Sequence, residues 1–209
     1  MYKEQLNTIF GMLKSPNQSL HEICGNEDQY LVSSVIILIF ASVFSINMAS
    51  GPLDDTIPSV NQFGIWFSDE PISWITDGLL GLLGSIVLIV IIFVLGKKFG
   101  GIDNFKKIFA VVSHASLPVV IGSVVIFAIF FALSSTMSDS VDETYSEFQY
   151  FGMVSYFGVL TPLAIWSLII SIKALKIANG FGTSKSFGIL LLATVISYVV
   201  WIPLNWLQP

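Results

Sequence analysis

The sequence predicts an all-α fold: a polytopic membrane protein built as a bundle of five transmembrane helices with a short amphipathic N-terminal helix. Three observations predict it. The chain is 54% hydrophobic and 11% charged, against about 25% charged in an ordinary soluble domain, so its solvent is mostly lipid. Five apolar runs each come near or above the ~20 residues a helix needs to cross the hydrocarbon. All basic residues are lysines, and they fall only in alternate connecting segments.

The 1–29 segment reads as a cytoplasmic, amphipathic N-terminal region. From Tyr2 to Leu13 the apolar residues Tyr2, Leu6, Ile9, Phe10 and Leu13 recur at helical spacing and paint one stripe, which is expected to lie on the inner membrane surface. Pro16 breaks that helix, and Ser19 is expected to cap a second short one through Ile23. The 30–209 segment holds the membrane domain, with spans at about 31–50, 72–95, 108–133, 151–175 and 187–207. The first apolar run begins only near Tyr30 and is long enough to span, so it reads as an uncleaved anchor. Helices are the expected form throughout, because open strands leave backbone groups unpaired in lipid.

Charge orients the bundle. Lys3 and Lys14 precede the first span; Lys97, Lys98, Lys106 and Lys107 join the second to the third; Lys173, Lys176 and Lys185 join the fourth to the fifth. The other two loops carry acids: Asp54, Asp55, Asp69 and Glu70, then Asp139, Asp142, Glu143 and Glu147. By the positive-inside rule the N-terminus is cytoplasmic and the C-terminus outside, in an integral membrane protein expected in a prokaryotic cell membrane. Trp66, Trp74 and Trp206 then fall near the outer interface, where an amphipathic ring rests comfortably.

Within the spans, Gly78, Gly81, Gly84 and Ser85 strip bulk from one side of the second, which favours close helix packing. Pro118, Pro162 and Pro203 each remove a backbone donor from the third, fourth and fifth. Asn47, Asp77, Lys173 and Asn205 sit near span ends, where a polar head reaches the interface; His114 lies deeper and is the intramembrane polar candidate. His114 precedes Pro118 by one helical turn, so its side chain is expected near the carbonyl of residue 114, which the proline leaves without a donor, and near an adjacent helix. We read it as a structural residue facing the bundle interior.

The two lysine-bearing connections echo one another. Residues 96–107 and 176–187 each run from a lysine-bearing helix end through a glycine turn to a Phe beside a Lys. Glycine permits the left-handed stop of one helix, with Gly100 or Gly101 expected at positive φ, and Asp103 or Ser184 is expected to cap the next. Any tight helical hairpin converges on this chemistry, so a parallel repeat is one explanation of two.

Known chemistry is missing. There is no phosphate-cradling glycine loop, no histidine pair at metal spacing and no nucleophile elbow, so no catalytic residue, metal ligand or cofactor is assigned. Cys24 is the sole cysteine, which excludes an internal disulfide, and it reads as a small, partly buried hydrophobe. The inner lysines are interleaved with Glu4, Glu22, Glu27, Asp28 and Asp103, which argues against a nucleic-acid partner.

An N-terminal Ile9-Phe10 followed by Ser15-Pro16 leads into the five closely spaced spans. Phe99-Gly100-Gly101 with Asn104-Phe105-Lys106-Lys107, then Pro118, Trp166, Lys173-Ala174-Leu175 and the turn from Gly180 to Lys185 complete a pattern that resembles the Yip1 domain family over nearly the whole chain. The resemblance implies a small multi-span helical protein whose eukaryotic relatives work in vesicle trafficking, bind Rab-type GTPases and associate with one another. This chain shows neither a long hydrophilic N-terminal region nor the Tyr-Gly-Pro type motif, which puts GTPase binding in doubt and makes it more similar to short, prokaryotic-type members. The functional expectation is a non-enzymatic protein that organises protein partners or lipids at the cytoplasmic face. Lys97, Lys98, Gly100, Gly101, Lys106, Lys107, Lys176 and Lys185 would be its partner- or lipid-facing residues, beside the bilayer and in a homo- or hetero-oligomer. The alternative is a small-solute or proton-linked transporter or channel component using His114.

Overall fold

A computed structural model describes residues 2–49, 71–134 and 156–205. The described residues are helical apart from short turns, with no strand among them, as the lipid argument requires. The helices are α1 (Tyr2–Lys14), α2 (Pro16–Gly25), α3 (Glu27–Ala49), α4 (Pro71–Lys98), α5 (Phe105–Ala115), α6 (Leu117–Ser134), a π-helical turn (Tyr156–Leu160), α7 (Thr161–Asn179) and α8 (Thr183–Asn205).

Four stretches are long and apolar enough to cross a membrane: Gly78–Lys98, Phe105–Ile126, Gly158–Asn179 and Thr183–Val200. A fifth is reached if α2 and α3, which meet at a bend of 117°, count as one bent span. The outward faces of these helices are apolar, with Leu83, Val94, Leu191 and Val195 all exposed. A soluble protein would hide such a belt, whereas a bilayer covers it. The chain is a multi-pass membrane protein.

The core runs along the helix contacts. Ile37 and Leu38 of α3, Ile89 and Ile92 of α4, Ile108 and Val111 of α5, and Ile170 and Ala174 of α7 are buried together. Helix α3 packs on both α4 and α5, α5 on α7, and α4 on α8. The hairpins α4–α5 and α7–α8 therefore interlock: the first helix of each lies against the second helix of the other. Ser42 of α3 and Ser85 of α4 meet at 3.3 Å.

Several local details differ from the sequence expectation. Ser19 does not start the second helix. Pro16 occupies its first turn, where a fixed φ is already helical and the missing N–H is not needed, and Ser19 N–H already donates to Ser15. Asn104, not Asp103, caps α5: its backbone is extended (φ −134°, ψ 97°) and its side chain accepts from Lys107 N–H. Asp103 is instead taken by Lys97 at 2.6 Å. Ser184 sits inside the first turn of α8, which begins at Thr183. The third span is split at Ser116, two residues before Pro118, into α5 and α6. In the fourth, Pro162 stands in the first turn of α7 just after the π-helical turn, again where the missing N–H costs least. Helix α8 continues through Pro203.

The acids of the two other loops, Trp66 and Trp206 lie outside the described residues, and at Asn47, Trp74, Asp77 and Asn205 only the backbone is described.

Candidate functional site at the lysine-bearing end

The α4–α5 turn is built by glycine. Gly100 has φ +82°, and its N–H donates to the Lys97 carbonyl at 3.0 Å while Gly101 N–H donates to Gly96 at 2.8 Å. Those two bonds are the Schellman closure of a helix end, which needs a left-handed residue that only glycine adopts cheaply. The α7–α8 turn also places a left-handed glycine at the helix end, Gly180 with φ +70°.

What joins the turns is side-chain packing across them. Asn179, 6% exposed, lies against the α4–α5 turn: a Cβ on Gly101 would collide with Asn179 Oδ1 and stand 2.8 Å from Phe181 Cζ, and one on Gly96 would stand 3.2 Å from the same Oδ1. Gly101 is thus small because a neighbouring hairpin occupies its side-chain space. From the other direction, Lys185 Nζ donates to the Phe99 carbonyl and lies 4.3 Å over the Phe181 ring.

The structure treats the candidate lysines unequally. Lys97 pairs with Asp103, and Lys106 with Asp28 at 2.7 Å. All four side chains are more than half exposed, so water screens both pairs and they add little stability. Lys97 and Lys98 close α4 and Lys176 closes α7, where a cation complements the helix dipole. Lys107 is half-buried and gives its backbone N–H to Asn104. Asn104 Nδ2 also donates to Glu27 at 2.8 Å, so the start of α5 is tied to the start of α3. Among the described residues, Lys185 is the lysine drawn onto the opposite hairpin. Exposed Phe99, Ile102, Phe105 and Phe187 stand among them, so this end is basic and apolar together.

His114 is elsewhere, buried at the α3–α5 contact with 0% exposure. Its Nδ1 lies 2.8 Å from the Ala110 carbonyl, and its Nε2 lies 3.1 Å from Ser33 Oγ. The ring meets that of Tyr30 edge-on, centroids 5.8 Å apart. The expected contact with its own carbonyl is replaced by one with Ala110, a turn earlier, because the side chain leans toward the helix N-terminus.

Sequence reasoning missed the rest of this polar seam. Tyr30 hydroxyl and Thr8 Oγ1 both donate to Glu22 Oε1, at 2.9 and 2.6 Å, so one carboxylate joins α1, α2 and α3. Ser33 and Ser34 beside Tyr30 were the available signal, a polar pair entering an apolar run. Cys24 is buried, and that burial pushes its thiol pKa up. Among the described residues no group of His, Cys, Asp and Glu could hold a metal ion.

No curated protein and no solved structure matches the chain. The Yip1 domain family model matches residues 10–203, which takes in both glycine hairpins, the split third span and the seam around His114. The chain belongs to the Yip1 domain family.

Proposed function

We propose that this protein is a non-enzymatic membrane organiser that gathers protein partners or lipids at the cytoplasmic face through its paired hairpins. The interlocked turns carry the reading: Lys185 reaches across to Phe99, and Asn179 packs on Gly101. Together they hold lysines and exposed aromatic rings on one rigid end. Such a surface suits the anionic side of a membrane, where each lysine near the surface contributes about 1 kcal/mol. The lysine-bearing end faces the cytoplasm by the positive-inside rule.

Crosslinking in native membranes tests it. A photoreactive residue at Ile102 should yield discrete, lysine-dependent adducts, whereas one at Val195, on the lipid-facing side of α8, should yield none that depend on the lysines. Proton-linked flux through purified protein in vesicles, abolished by His114→Leu in a folded variant, would overturn the reading in favour of transport.

A further inference from the structure

The lysine-bearing end is not flat. A furrow of about 280 Å³ opens beside it, lined by Phe99, Lys185, Gly188, Ile189 and Leu192. Its volume lies just under the range of small-molecule sites, about 300 to 1,000 Å³. It is not enclosed either, since Phe99 and Leu192 on its rim are 45% and 41% exposed.

Shape and charge agree. From Lys185 to Leu192 the furrow follows α8 for about 10 Å along the helix axis, from the lysine-bearing end into hydrocarbon depth. At Gly188 the helix surface is bare, with nothing within 4 Å of where a Cβ would be, so the protein leaves that space unfilled. At the mouth, Lys185 is held in place by the Phe99 carbonyl and the Phe181 ring. Among the described residues it has no carboxylate partner, unlike Lys97 and Lys106. An ammonium carries three donors, and only one is spent on Phe99.

We propose that this furrow binds one anionic phospholipid, its phosphate on Lys185 and the start of one acyl chain laid past Gly188 to Leu192. The proposal rests on the organiser reading and names the ligand of its inner face. A cation at the polar end and an apolar trough running inward match the two ends of a lipid lying in its own leaflet. A soluble phosphate compound would have no use for the trough.

Native mass spectrometry of the full chain in detergent tests this, with phosphatidylglycerol and phosphatidylcholine offered in turn. The parent should retain one phosphatidylglycerol in preference to phosphatidylcholine. Lys185→Gln should lower that preference by about fivefold, the weight of one lysine at a membrane surface, and Lys14→Gln, on α1, should leave it unchanged. Gly188→Leu fills the trough and should lower retention of both lipids, with helicity and melting temperature unchanged to show that the fold is kept. Glycerol 3-phosphate should not compete. Equal losses in Lys185→Gln and Lys14→Gln would reduce the effect to diffuse surface charge and overturn the proposal, as would full retention in folded Gly188→Leu or competition by glycerol 3-phosphate. The assay contains no protein partner and no solute gradient, so its failure would remove the furrow and leave the organiser reading to crosslinking.

Discussion

The two hairpins at the lysine-bearing end solve the same problem with unequal parts. Each stops a helix at a left-handed glycine, Gly100 in one and Gly180 in the other. The α4–α5 turn is then finished locally, by a Schellman closure, the Lys97–Asp103 pair and the Asn104 cap. The α7–α8 turn is finished by its neighbour: Asn179 and Phe181 rest on Gly101, and Lys185 bonds to Phe99. One hairpin receives and the other inserts. Similar glycines can therefore carry different loads, because at a turn a glycine is required either by its own φ or by what fills its side-chain space.

The largest expected effect breaks the receiving side. Gly100→Val with Gly101→Val adds about 1–2 kcal/mol for a left-handed β-branched residue to about 1–3 kcal/mol or more for overpacking against Asn179 and Phe181. Folded yield and melting temperature in detergent should fall sharply. Gly182→Val, with nothing within 4 Å of its Cβ, should stay within about 0.5 kcal/mol of the parent. Equal tolerance of the two changes would erase the distinction between the hairpins.

Next in size is the seam that anchors the second arm of the receiving hairpin. His114 ties α5 to α3 through Ser33. His114→Leu removes the buried ring's hydrogen bonds to Ser33 and Ala110 and should cost about 1–3 kcal/mol, whereas His114→Gln should recover much of it and keep the protein active. A leucine variant as stable as the parent would show that packing alone holds the arm, and a folded glutamine variant without function would give His114 a task in transport.

Asn179→Ala sharpens the inserting side. It removes the atoms that lie on Gly96 and Gly101 while keeping the helix, and should cost about 1 kcal/mol. In its background Gly101→Ala should be better tolerated than in the parent, because the colliding oxygen is gone. A double-mutant cycle measures that coupling, and additivity would deny the contact.

The smallest effects are in labelling. Cys24 is buried and its thiol pKa raised by that burial, so less of it is thiolate at neutral pH. It should react with maleimide more slowly than a cysteine placed at exposed Ser184, and its rate should climb only at higher pH than that of a free thiol. In a variant lacking Cys24, the Ser184 cysteine should be silent to an impermeant reagent outside intact cells, while one at Ser59, outside the described residues, should react. Labelling at Ser184 from outside would reverse the orientation and move the lysine-bearing end away from the cytoplasm.

Much of this architecture was legible because its causes are local. Apolar runs longer than a bilayer is thick, the proline after Lys14 and the glycines after Lys98 and Asn179 act on their own neighbours. Where two local signals competed, the sequence reading chose wrongly: Asp103 and Asn104 can both cap a helix, and the choice was made by Lys97, six residues earlier, drawing the aspartate away. Ser19 lost to Pro16 for a similar reason, since a proline in the first turn starts a helix without any side-chain cap.

By itself, the sequence determined a multi-pass helical chain, the glycine stops after Lys98 and Asn179, and the gathering of lysines in alternate connections. Each follows from transfer free energies and backbone sterics that a few neighbouring residues settle. The tertiary structure alone decided that Asn179 fills the space at Gly101, that Lys185 caps the opposite hairpin, that Glu22 joins three helices and that His114 meets Ser33. These contacts join residues far apart in the chain, and they exist only because whole helices have already packed. A side chain's partner is then set by the position of another backbone, which no local pattern encodes.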